Sequence, residues 1–268
     1  MTASGEAKPG WSVEQRSAWM VGKFAATSVH LVARTFRCVS VLDRPTDVDA
    51  DRPLIIASNH PSWWDPMVGL VSLQRYMPDR PAFVPIDPVG YEAHGVFAKV
   101  GFFPVEPNTR RGGVALLNYG QQALGVPGGL VWITPEGRFV DPRVRPVVLK
   151  PGASLLASRV AGCQVLPAAI EYRFGGEPKP EAILSFGEVI ETDGLSAGAI
   201  GEALTAGLTA TMDRLAEVVQ TGQVDEGGDG PTKILEGSPK LVSSLMKLMR
   251  AYRSGPRAYD PRHLDRSD

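Results

Sequence analysis

The residues best placed to do chemistry are Asn59-His60-Pro61-Ser62-Trp63-Trp64-Asp65. A histidine and an aspartate held on one short loop can hydrogen-bond to each other. The carboxylate then fixes the imidazole tautomer and stabilises the imidazolium formed when the ring takes a proton. Read on its own, Asp65 before Pro66 is equally a helix start, since Asp is a favoured N-cap and Pro a favoured first helical residue. Both roles stay open at this point. His30, His94 and His263 have no aspartate so placed and read as structural or solvated.

A second loop, Thr134-Pro135-Glu136-Gly137-Arg138-Phe139, brings together a carboxylate, a flexible glycine and a guanidinium. Such a set can bind hydroxyls and an anionic group. It is also the composition of an ordinary turn. A third segment, Gly101-Phe102-Phe103-Pro104-Val105-Glu106, runs on to Arg110-Arg111, which read equally as a solvated helix entry.

Each loop needs an element to hold it. Pro53–Ala57 is a short continuous apolar run, as in a strand buried on both faces, and it delivers the His60 loop at its end. Further strands are expected at 39–42, 82–86, 102–105, 130–134, 165–171 and 182–190. Helices are expected at 11–35, from Asp65 onward, and at 91–100, 112–124, 153–161 and 199–219. Strands alternating with helices predict an α/β fold with a largely parallel sheet flanked by helices. In such sheets sites gather outside the carboxyl ends of strands, where the His60 and Glu136 loops fall.

The bulk properties agree with one enzyme-sized globular unit. The 268 residues are 43% hydrophobic and 21% charged, with 28 Lys+Arg against 29 Asp+Glu. A net charge of -1 argues against a nucleic-acid partner. Cys38 and Cys163 are too few and too far apart for a disulfide scaffold or a zinc finger, and fit a reducing, cytoplasmic setting. The N-terminus lacks a secretory pattern. The longest apolar stretch, 19–33, is too short and too interrupted to span a bilayer. The chain divides into an amphipathic helix at 1–35, a core domain at 36–220, a flexible Gly/Asp/Glu-rich linker at 221–238 and a basic amphipathic segment at 239–268. From Lys240 to Asp268 there are seven Lys/Arg and three Asp. Trp11, Trp19 and Phe24 at one end, and Leu241, Leu245, Leu248 and Met249 beside Lys247 and Arg250 at the other, suit a membrane surface.

The Asn-His-x-x-x-x-Asp loop, the Gly-Phe-Phe-Pro-Val segment, the Pro-Glu-Gly loop and the strand Val165-Leu166-Pro167-Ala168-Ala169 occur in that order. Together they resemble the four blocks of the glycerolipid acyltransferases of the 1-acylglycerol-3-phosphate type, over about residues 35–215. Lys150-Pro151-Gly152-Ala153 resembles the family's usual continuation. The resemblance implies His60 as general base and Asp65 as its partner. It implies an acceptor site drawing on Asn59, Glu136, Gly137, Arg138, Arg110 and Arg111. It implies acyl-CoA or acyl carrier protein as donor, a lipid acceptor, no metal and no cofactor. The expected location is the cytoplasmic, inner face of the membrane, held peripherally. Two positions depart from the family. Pro107 stands where the second block usually ends in arginine, and Phe139 where the third block has one. A glycolipid, a carotenoid glycoside or another neutral lipid alcohol is therefore an alternative acceptor. A hydrolase using the same pair is disfavoured, because no Gly-x-Ser-x-Gly elbow occurs. A non-catalytic lipid-binding protein of the same fold is the remaining class.

Overall fold

The computed structural model describes residues 11–93, 95–175, 177–221 and 230–237. A 3-10 turn at Val13–Gln15 leads into α1 (Ala18–Thr35) and β1 (Cys38–Val41). Then come β2 (Leu54–Ser58), α2 (Asp65–Tyr76), β3 (Ala82–Ile86), α3 (Pro88–Ala93), α4 (Phe97–Val100) and β4 (Phe102–Pro104). They are followed by α5 (Arg110–Leu124), β5 (Leu130–Ile133), α6 (Gly152–Ala157), β6 (Gln164–Arg173) and β7 (Glu181–Phe186). The short β8 (Ile190–Glu191), the long α7 (Ala197–Thr221) and β9 (Thr232–Glu236) complete the order.

The strands form one sheet in the order β4-β3-β5-β2-β6-β7-β1-β9, with β8 on β6. From β4 to β6 every pairing is parallel. β7 runs antiparallel to β6, and β1 parallel to β7. The expected α/β fold with a largely parallel, helix-flanked sheet is therefore present. All five residues of β2 are buried, because helices cover both faces of the sheet. Leu54 and Ile56 join Val32, Phe36, Val68 and Val71 of α1, α2 and their flanks on one face. Ile55 and Ala57 join Leu124, Leu156 and Leu204 of α5, α6 and α7 on the other.

Several boundaries differ from the sequence reading. The N-terminal helix starts at Ala18, not at residue 11, because Ser17 caps it by accepting from Met20 N–H. Trp11 is not a membrane-facing residue. It is buried against Phe83, Phe103 and Tyr119 at ring distances of 5.2–5.9 Å. Phe24 packs edge-on to Phe102 at 5.9 Å, whereas Trp19 is exposed. The expected helix at 91–100 is two short helices, α3 and α4. The expected strand at 182–190 is β7 with β8 set apart from it. The linker at 221–238 also needs correction. Its residues Thr232–Glu236 are a strand, antiparallel to β1, whose edge offers unpaired backbone groups that a flexible reading leaves unsatisfied. The basic segment 239–268 and the amphipathic helix expected in it lie outside the described residues, as do His94 and His263. Among the described residues no helix is long and apolar enough to cross a membrane.

Candidate active site

His60 stands two residues beyond the end of β2, the central strand. Its Nδ1 is 2.6 Å from Asp65 Oδ2. A carboxylate only accepts, so Nδ1 carries the proton and Nε2 is left as the basic nitrogen. Asp65 is 1% exposed and its side chain is occupied throughout. Oδ2 also accepts from Ser62 N–H at 3.1 Å, and Oδ1 accepts from Tyr172 Oη at 2.7 Å. Asp65 is not the N-cap of α2. That position is Trp64, without a side-chain cap, and the Asp65 carboxylate turns back to the imidazole instead. Of the two roles left open for this residue, the structure selects the histidine partner.

Tyr172 reaches Asp65 because β6 overruns β2. Ser58, the last residue of β2, pairs with Ala168, and β6 continues to Arg173. Residues 168, 170 and 172 share one face of the strand, which brings the phenol over the His60 loop. Burial, reinforced by the Asp65 carboxylate, pushes the Tyr172 hydroxyl far up from its ordinary value, so it stays a donor.

The Glu136 loop grips the same histidine from the other side. Glu136 is buried, and its Oε2 accepts from His60 N–H at 2.7 Å. Val140 N–H donates to His60 C=O at 3.0 Å. Burial pushes the Glu136 carboxyl up, against the opposing effect of the His60 N–H bond. Phe139 packs on the imidazole with ring centroids 4.4 Å apart. Beneath the loops, Trp132 Nε1–H donates to Ser58 Oγ at 2.8 Å and ties β5 to β2.

Other expected site residues are placed differently. Asn59 is buried, with Nδ2 donating to Ile170 C=O at 3.0 Å and Oδ1 accepting from Ile170 N–H at 2.8 Å. It fastens the His60 loop to β6 and does not face an acceptor, because a side-chain amide so paired is committed to the backbone. Gly137 adopts a φ of 63°, the left-handed region that glycine enters freely. Arg110, Arg111 and Arg138 are exposed, and none makes a hydrogen bond or ion pair among the described residues.

The sequence reading missed Tyr172 and gave no site role to Phe139 or Lys150. Tyr172 was detectable as the next same-face residue after Ala168 and Ile170. Lys150 lies across the Glu136 loop, donating through Nζ to Asn108 Oδ1 and to Gly137 C=O. Cys163 is no rival nucleophile, since burial pushes its thiol up to about 12. A groove of about 910 Å³ between α6 and α7 touches Lys150 but contains neither His60 nor Asp65.

The arrangement suits proton transfer to and from a group bound over the imidazole. Residues 41–171 match the Acyltransferase family model. No curated protein matches the chain. Among solved structures, the 1-acyl-sn-glycerophosphate (LPA) acyltransferase PlsC from Thermotoga maritima is similar, with a TM-score of 0.50 and 16% sequence identity, over 73% of this chain and 78% of that one. At that identity the likeness is one of fold. The family model lies over both the His60 and the Glu136 loops, and a sheet of the same architecture presents them, which supports placing residues 41–171 in the acyltransferase family.

Proposed function

We propose that this acyltransferase moves a fatty acyl group from acyl-CoA or acyl carrier protein to a hydroxyl of a glycerolipid such as a lysophospholipid. The observation that carries the reading is the His60–Asp65 pair at the carboxyl end of β2, one imidazole nitrogen fixed and the other available. His60 Nε2 takes the acceptor's hydroxyl proton as the oxygen attacks the thioester carbonyl. The tetrahedral intermediate collapses, the C–S bond breaks, and the imidazolium returns the proton to the leaving sulfur. Asp65 keeps its negative charge throughout and offsets the imidazolium. The route calls for no covalent acyl-enzyme and no resident cofactor.

A lipid substrate must be met at a surface. Large apolar side chains are exposed beyond the strand ends: Trp63 after β2, Val89 in α3 after β3, Phe139 and Val148 after β5, and Phe174 after β6. These residues follow the carboxyl ends of parallel strands, the sheet edge that also carries His60, and support peripheral docking of this rim on the inner face of the membrane. A neutral lipid alcohol is the second reading, favoured by Pro107 and Phe139 in the places of the family's arginines.

The test is to incubate the protein with palmitoyl-CoA and either lysophosphatidate or monoacylglycerol. Thiol release and ester product are followed together. Ester on lysophosphatidate supports the first reading, and ester on monoacylglycerol alone the second. Thiol release with free acid only indicates a hydrolase, and no release a binding protein. His60→Ala should cut ester formation by ~10²-fold or more.

A further inference from the structure

α1 carries Lys23, His30 and Arg34 at i, i+7 and i+11, so the three share one stripe of the helix, and all three are exposed. The opposite side is spent on the fold. Ala25, Ser28 and Val32 are buried, Val32 joins Leu54 and Ile56 of β2, and Phe24 packs on Phe102. Charge is one-sided along this stretch. From Arg16 to Leu42 the chain has four Lys/Arg and no Asp or Glu, although its net charge is -1.

The helices packed against α1 extend the pattern. α2 adds Arg75 and α4 adds Lys99, both exposed. The one acidic residue in α1, α2 and α4 is Asp65, which is buried and bonded to His60. Asp79, beyond the end of α2, is the next acid in the chain. Lys23, Arg34, Arg75 and Lys99 form no ion pair among the described residues. Arg34, Arg75 and Lys99 each lie in the last turn of a helix, where the dipole favours a cation. That accounts for each singly. It accounts neither for Lys23, in the body of α1, nor for three adjoining helices without an exposed carboxylate. A surface of one sign attracts a partner of the other.

Two observations favour a protein over a bilayer as that partner. An interfacial helix inserts its apolar side into lipid, and the apolar side of α1 is buried. The stripe also looks away from the face of the sheet, whereas the apolar rim stands at the carboxyl ends of the strands, so a bilayer seated on the rim does not lie over it. The end of α1 adjoins the active site. Phe36, its C-cap, packs on Trp64 at 5.2 Å and on Tyr172 at 5.6 Å, and Tyr172 holds Asp65.

We propose that the basic face of α1, α2 and α4 docks an acidic acyl carrier protein, whose flexible arm then delivers the acyl thioester to His60. The proposal rests on the acyltransferase reading for the identity of the partner. Of the two donor classes, carrier protein alone brings an acidic protein surface. Charges of this kind act on encounter and on salt dependence, not on the chemical step.

The experiment compares wild type with Lys23→Glu/Arg34→Glu and with the neutral Lys23→Gln/Arg34→Gln. Fluorescence anisotropy follows binding of labelled acyl carrier protein, and ester formation is measured with palmitoyl-carrier protein and with palmitoyl-CoA. Charge reversal should weaken carrier binding about tenfold or more and raise the KM for palmitoyl-carrier protein to match, with kcat and the palmitoyl-CoA reaction unchanged. The neutral pair should fall between, and the differences should shrink as salt rises. Equal loss with both donors would make these residues structural, and unchanged carrier binding would also overturn the proposal. Loss of binding to anionic vesicles with carrier binding intact would assign the face to the membrane instead. Binding is read without turnover. Carrier held through these residues, with ester from neither donor, refutes the acyltransferase reading and keeps the docking site. Ester from palmitoyl-CoA with no carrier bound does the reverse. Unchanged melting temperature in the neutral pair separates a lost contact from lost folding.

Discussion

Tyr172 Oη donates to Asp65 Oδ1 at 2.7 Å, on the carboxylate oxygen that His60 does not use. The phenol and the imidazole therefore hold one carboxylate from two directions. Tyr172→Phe should lower kcat by about tenfold or more, since a hydrogen bond to a charged group contributes ~1.5–3 kcal/mol. Acceptor KM should hold. A rise in acceptor KM with kcat unchanged would place the phenol on the substrate instead.

Glu136 should separate charge from hydrogen bonding. Its carboxylate is buried at a cost, and the contact with His60 needs only an acceptor. Glu136→Gln keeps a carbonyl oxygen in place and should retain the fold with equal or higher melting temperature. Glu136→Ala leaves the His60 N–H unpaired and should cost ~1–3 kcal/mol, read by urea unfolding. If both variants lose stability equally, the charge itself matters.

Acid should act partly through Glu181. This carboxylate is buried, which alone would raise its pKa, but the bonds from Arg173 and Arg37 outweigh burial and hold it below the ordinary range. Its contribution to stability is complete above the unfolded value of about 4.3 and is lost as pH falls through the lower folded value. Glu181→Gln should be less stable at pH 7, and its stability should change less between pH 5 and the acid limit than that of the wild type. Parallel pH–stability curves for the two proteins would rule this out.

The exposed rim should be read by vesicles. Phe174→Asp and Val148→Asp should each weaken co-sedimentation with lipid vesicles by roughly tenfold, from the ~1.5–3 kcal/mol that burying one large apolar side chain contributes. Rates on a short-chain, monomeric acceptor should be unchanged, because neither side chain is part of the His60 network. Undiminished vesicle binding in the double variant would move the docking surface elsewhere, with the basic chain terminus the next candidate.

The dyad and the sheet were legible because their signals are local. Buried parallel strands read as continuous apolar runs, and His60 and Asp65 lie five residues apart. What was not legible depends on register and on strand length. Tyr172 touches Asp65 only because β6 runs past the end of β2, and no local pattern states where a strand stops. Trp11 reads as an interfacial aromatic by type, yet ahead of the turn at Val13–Gln15 it packs into the core against β3, β4 and α5. Thr232–Glu236 reads as part of a polar linker, and only the open edge of β1 makes a strand of it.

The backbone of His60 is clasped at both ends by a single loop, its N–H by Glu136 and its C=O by the N–H of Val140. The proposed base and the segment expected to face the acceptor are therefore one mechanical part. Changing the length or backbone path of residues 136–140 to admit a new acceptor would also shift the imidazole. A specificity graft from a relative would have to carry residues 59–65 and 134–140 together, as a matched pair.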